Sequence, residues 1–152
     1  MKIEDSFTVD APLERVWRMI TDPQIVGPCI PGCQGIEVTG PDTYQADIKV
    51  AVGPIKTTFS VTVEKTEERP PHFAASTTRG QEGGKASTLN ATSTLALSEA
   101  EGGGTEIAYA SDVSVFGRLG KFGLGIMKKK ARDIGREFAE TFRAKVEDTA
   151  NG

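Results

Sequence analysis

Residue types that commonly carry reactive chemistry are sparse in this chain. Cys29 and Cys33 are its two cysteines and His72 its one histidine. Three residues separate the cysteines, whereas a thioredoxin-like redox pair has two between them. With one histidine they reach only three of the four ligands of a structural zinc site. Packing around the Pro31-Gly32 bend is the expected role. His72 follows Pro70-Pro71, which puts it at a surface turn, and a general base needs an oriented partner as well as a pKa near neutrality. Asp47, His72, Tyr109 and Asp112 form no recognisable acid/base constellation, and Glu64, Glu67 and Glu68 read as a solvated charged run. No catalytic residue and no metal ligand is assigned.

The charge that does cluster is positive. Arg118, Lys121, Lys128, Lys129, Lys130 and Arg132 fall within 118–132 without an acidic residue, a local +6 in a chain of net charge -3. Phe122, Ile126 and Met127 lie among them, the mixture expected of a peripheral membrane contact or a partner surface. Three consecutive lysines cannot share one helix face, so a soluble basic helix end is the plain alternative. The acidic total and the lack of a recognition module argue against a nucleic-acid partner. Residues 1–20 contain no uninterrupted apolar signal segment, and no stretch is long enough to span a bilayer. The expected location is cytoplasmic, with peripheral contact at the cytoplasmic membrane.

The elements that must position these groups follow from hydrophobic periodicity. Ile3, Phe7 and Val9 share a parity, as expected of a half-buried strand. Asp10 is placed to cap a short helix with Pro12 in its first turn and Val16, Trp17 and Ile20 on its apolar side. Asp22-Pro23 ends that helix, and a second short turn precedes Gly27. Period two resumes in Tyr44, Ala46, Ile48 and Val50, and again in Ile55, Phe59, Val61 and Val63 after Gly53-Pro54. The charged run to Arg69 and Pro70-Pro71 read as a turn. Strands around Phe73, Ala75 and Thr77, around Leu89 to Leu97 and around Ile107 to Val115 follow, and because the period-two pattern already begins at about residue 34, ahead of Tyr44, the expected count is seven. From 119 to 146 the period changes to that of an amphipathic helix about 40 Å long. The predicted fold is α+β: a helix-grip arrangement of a curved seven-stranded antiparallel sheet, two short helices and a long C-terminal helix, in one domain over 1–147 with a frayed tail over 148–152.

A curved sheet gripped by a helix either packs solid or encloses a cavity, and periodicity does not measure volume. If a cavity exists, its expected lining is Phe59, Val61, Phe73, Leu89, Tyr109, Phe122, Ile126, Ile134 and Phe138. Phe122 and Ile126 would guard an entrance, Phe138 would lie deeper, and Tyr109 offers a hydroxyl to a polar atom of the guest.

The motifs V-D-A-P-L-E-R-V-W (9–17), C-I-P-G-C (29–33) with Gly40, Tyr44 and V-G-P-I (52–55), G-T-E-I-A-Y (104–109) and G-R-L-G-K-F-G (117–123) together resemble the CoxG family of carbon monoxide dehydrogenase subunits, within the START-like or Bet v 1-like group. Ser60 stands where many of those relatives have glycine, and Lys121-Phe122 interrupts their usual approach to the last helix. The resemblance implies an apolar pocket for a quinone or lipid and no cofactor needed for folding. It also implies an accessory role beside a molybdenum-containing hydroxylase or carbon monoxide dehydrogenase-like complex, which would hold the catalytic centre. The alternatives it leaves are a helix-grip enzyme acting on a hydrophobic aromatic substrate and a ligand-free membrane or partner adaptor.

Overall fold

A computed structural model describes residues 1–151, without the side chains of Lys85 and 149–151. Seven strands form one antiparallel sheet: β1 (Lys2–Val9), β2 (Cys33–Val38), β3 (Thr43–Val52), β4 (Ile55–Arg69), β5 (Phe73–Glu82), β6 (Ser87–Glu99) and β7 (Thr105–Gly117). Their order is β1-β7-β6-β5-β4-β3-β2. Strands β2 to β7 are therefore a continuous meander, and β1 closes against the far edge of β7. Two short helices, α1 (Leu13–Ile20) and α2 (Pro23–Val26), lie between β1 and β2. The long helix α3 (Leu124–Asn151) crosses the concave face of the curved sheet. This is the expected helix-grip fold.

Several boundaries differ from the sequence reading. Helix α1 begins at Leu13, with Pro12 still extended at its N-cap and no side-chain cap bond. Asp10 therefore sits too far back to cap. Its backbone N–H donates instead to Glu147 Oε2 of α3, 2.8 Å away. Asp22 does cap its helix, accepting from Gln24 N–H. The charged run 64–69 belongs to β4, which bulges between Lys65 and Glu67 and reaches Arg69. The turn is confined to the cis Pro70-Pro71 bond and His72. Most consequentially, the last helix does not start at 119. Leu119–Phe122 form a single 3-10 turn, and Gly123, at φ +85°, breaks the backbone before α3 begins. Helix α3 then continues without a break at 147, and the expected frayed tail falls mostly on residues outside the described side chains.

The packed core is split in two. One cluster joins β1, α1, the ends of β6 and β7, and Phe142 and Val146 of α3. Phe142 is fully buried, stacked on Phe138 at 5.8 Å and edge-on to Phe7 at 6.5 Å. Arg143 Nε donates to the Thr8 carbonyl nearby, so the C-terminal half of α3 is fastened to β1. The other cluster, with Val52, Phe59, Val61 and Leu119 at its centre, lies between β3, β4 and the 3-10 turn.

Candidate ligand-binding cavity

Between the two clusters the sheet and α3 leave a cavity of about 610 Å³, within the roughly 300–1,000 Å³ of small-molecule sites. The alternation read from β3, β4, β6 and β7 sets its wall. Tyr44, Ile48 and Val50, then Phe59, Val61 and Val63, then Leu89 and Leu95, then Ile107, Tyr109, Val113 and Val115 all face inward. Six of the nine residues expected at the lining are there: Phe59, Val61, Leu89, Tyr109, Ile134 and Phe138.

Phe73, Phe122 and Ile126 are not among the lining residues. In β5 the inward parity is that of Ala74, Ser76 and Thr78, so Phe73 points to the convex face, where the Arg69 guanidinium covers its ring at 4.5 Å. The segment F-A-A-S-T-T-R-G has no apolar alternation to reveal this, and its single aromatic residue marks the wrong face. Phe122 packs with the second cluster, against the β3–β4 turn, where a Cβ on Gly53 would meet its ring at 3.0 Å. Ile126 is 50% exposed. At about 100° per residue it stands roughly 120° around α3 from Phe138, whereas Met127 is only about 20° away, and Met127 lines the cavity.

Sequence reasoning missed the wall formed by Ile20, Pro23, Val26 and Ile30, and the polar residues Lys65, Ser76, Ser111 and Lys130. The first group lies on short helical turns whose apolar faces are too brief to show a period. The C-I-P-G-C bend carries Ile30 to the cavity. Its Gly32, at φ +82°, accepts a hydrogen bond from Lys49 N–H at 2.8 Å, and a Cβ there would lie 2.2 Å from the Lys49 carbonyl oxygen. Both cysteines are free. Cys29 is buried with its thiol directed to the Ile25 carbonyl at 3.4 Å, and burial raises its pKa against the opposing charge of Lys145.

Of the four residues considered for acid/base work, only Tyr109 lines the cavity. Asp47 is exposed and accepts from Ser60 Oγ at 2.8 Å, so the unusual Ser60 belongs to the outer face. Asp112 is also exposed, and His72 Nδ1 lies 3.1 Å from the Leu97 carbonyl. Burial, and then the charge of Asp5, push the Tyr109 phenol pKa upward, which keeps it a neutral donor. Burial and Cys33 do the same for Tyr44. Lys65 is held charged by its hydrogen bond to Glu68. Among the described residues no three His, Cys, Asp or Glu side chains come together as a metal site.

The basic segment divides. Arg118 Nε donates to Oε1 of the buried Glu82 at 2.5 Å, and Lys129 pairs with Asp133 at 3.6 Å. Lys130 lines the cavity, Lys128 is half-buried, and Lys121 and Arg132 are exposed. Phe116, Leu124 and Ile126 are exposed large apolar residues of the same region. No helix among the described residues is long and apolar enough to cross a membrane.

The sequence profile of the carbon monoxide dehydrogenase CoxG subunit matches residues 6–147. The chain belongs to the CoxG family. No curated protein matches it. Among solved structures, a conserved protein from Geobacillus kaustophilus is similar with TM-score 0.90 and 23% identity, covering 98% of this chain and 97% of that one. A START superfamily protein from Mycobacterium smegmatis has TM-score 0.73 and 14% identity over 97% and 98% of the two chains. The Zhui aromatase/cyclase from a Streptomyces species has TM-score 0.62 and 15% identity over 99% and 93%. At these identities the likeness establishes the helix-grip fold alone. Within this CoxG-family chain the G-R-L-G segment is tied down: besides the Arg118–Glu82 pair, Leu119 N–H donates to Ser87 Oγ at 3.0 Å, and Leu119 is buried.

Proposed function

We propose that this protein binds a hydrophobic quinone or lipid without transforming it and presents it to a molybdenum-containing, carbon monoxide dehydrogenase-like enzyme at a membrane surface. The observation that carries this reading is the cavity between the two core clusters, walled mainly by aliphatic and aromatic side chains. Its chemistry is desolvation: each methylene removed from water contributes about 0.8 kcal/mol before ordering costs. Tyr109, held neutral, adds an O–H donor at the wall. Family membership supports the accessory role and the choice of partner enzyme. The basic and apolar residues around the start of α3 supply the membrane contact in this reading.

Mass spectrometry of lipid extracted from gently purified protein tests it. A stoichiometric hydrophobic guest is expected, and the recovered compound should rebind wild type but not folded Phe138→Trp, whose larger ring would fill the cavity between α3 and the sheet. Steady conversion of the guest to a product would instead favour an enzyme.

A further inference from the structure

Across the mainly apolar sheet wall one rung is polar on four successive strands. Lys65, Ser76, Ser93 and Ser111 are successive cross-strand partners on β4, β5, β6 and β7, and all four line the cavity. The neighbouring rows are mostly apolar, with Val63, Thr78, Ala91 and Val113 on one side and Ala74, Leu95 and Tyr109 on the other. Strands favour β-branched and aromatic residues at half-buried positions, and a hydroxyl facing an apolar volume without a partner is destabilising. Three serines in register therefore call for a reason.

Their hydrogen-bonding capacity is only partly used. Ser93 Oγ and Ser111 Oγ lie 2.7 Å apart and bond to one another. That contact consumes one of the pair's two hydroxyl protons, leaving the other as a donor. Ser76 has no side-chain hydrogen bond among the described residues. At the end of the rung the Lys65 ammonium is flanked by the Glu68 and Asp42 carboxylates, which offset its charge. The rung thus presents neutral donors rather than net positive charge, and suits an uncharged acceptor oxygen better than a carboxylate or phosphate.

We infer that Ser76, Ser93 and Ser111 hold the uncharged carbonyl oxygen of the guest at the middle of the sheet, with its hydrocarbon body along the valine and leucine rows beside them. This rests on the cavity being a binding site, as proposed above, and adds which chemical group is recognised and where. The wall's other charged groups lie off this rung: Lys130 comes from α3, and the Met1 ammonium donates to the Val113 carbonyl at 2.7 Å and pairs with Asp112 at 3.7 Å.

Calorimetric titration with undecan-2-one, undecane and undecanoate tests the assignment. Wild type should bind the ketone about ten-fold more tightly than the alkane, the size of a strong net hydrogen bond, and more tightly than the carboxylate. Ser93→Ala combined with Ser111→Ala should remove most of that advantage, with ketone binding weakened relative to alkane binding, which the more apolar wall does not weaken. Should the double variant not fold, the infrared carbonyl stretch of the ketone bound to wild type decides: hydrogen bonding lowers it below its position in cyclohexane, and an unshifted band overturns the proposal. Equal binding of ketone and alkane would remove the serine rung and leave the cavity reading standing. Tighter binding of undecanoate would overturn the neutral head group, and binding of none of the three would defeat both readings.

Discussion

At position 135 of α3 a Cβ would stand 2.7 Å from the Tyr109 hydroxyl oxygen, so glycine there makes room for that hydroxyl beneath the helix. Replacing glycine by alanine inside a helix ordinarily gains about 1 kcal/mol. Here Gly135→Ala should lose that gain to the overlap in wild type and recover it in a Tyr109→Phe background, where the oxygen is gone. Urea denaturation of the four proteins measures the coupling, and equal stabilisation in both backgrounds would refute it. The same phenol gives a pH prediction. Tyr109 and Tyr44 are the chain's only tyrosines, and both have pKa values raised chiefly by burial. The native state then retains protons that the unfolded chain releases near pH 10. Their contribution to stability is complete below about pH 10 and declines as pH rises through the folded-state values. Phenolate absorbance should show both transitions above the ordinary value in native protein and at it in urea; a native midpoint at or below the ordinary value would contradict the burial described.

At the scale of elements, the junction between β7 and α3 is held by the Arg118–Glu82 pair and the Leu119–Ser87 hydrogen bond. Glu82 is buried with only Oε1 partnered among the described side chains, so Arg118→Ala should cost about 1–3 kcal/mol, tempered because the guanidinium is itself half exposed. Arg118→Lys should restore part of this. Thermal unfolding of the three proteins is the measurement, and an unchanged midpoint for the alanine variant would show that the pair is replaced by water. This junction also marks how far the sequence could be read. Period-two alternation in β3, β4, β6 and β7 disclosed which residues face inward, because each strand has one apolar parity. It failed in β5, where Ala74 and Ala75 are adjacent and Phe73 lies on the convex face. The last helix was legible from Ile134 to Val146, but stepping back four residues at a time drifts about 40° per step from the 3.6-residue period, which brought Ile126 to the lining in place of Met127. Whether the sheet and helix touch or stand apart was not legible, since that depends on summed side-chain volume rather than on spacing.

In the whole molecule, two solid clusters fasten α3 near its ends and hold it off the middle of the sheet. The arrangement leaves the cavity between them, and it places the exposed Leu124 and Ile126, with Lys121 and Arg132, together around the start of α3. If that end meets a membrane, its basic and apolar residues should act in separable ways. Each cation near an anionic surface contributes about 1 kcal/mol, roughly five-fold in affinity. Lys121→Gln with Arg132→Gln should therefore weaken binding to phosphatidylglycerol vesicles by about twenty-five-fold at low salt, an effect that fades as the Debye length shrinks towards about 3 Å at 1 M salt. Leu124→Ser with Ile126→Ser removes apolar insertion, so its loss should persist at high salt. Lys129 is a weaker contributor because Asp133 pairs with it. None of these four substituted residues lines the cavity, so ketone binding in solution should be unchanged in both variants. Vesicle co-sedimentation across a salt series distinguishes the two contributions: a loss independent of salt in the charge variant, or undiminished sedimentation in both, would place the membrane contact elsewhere on the molecule.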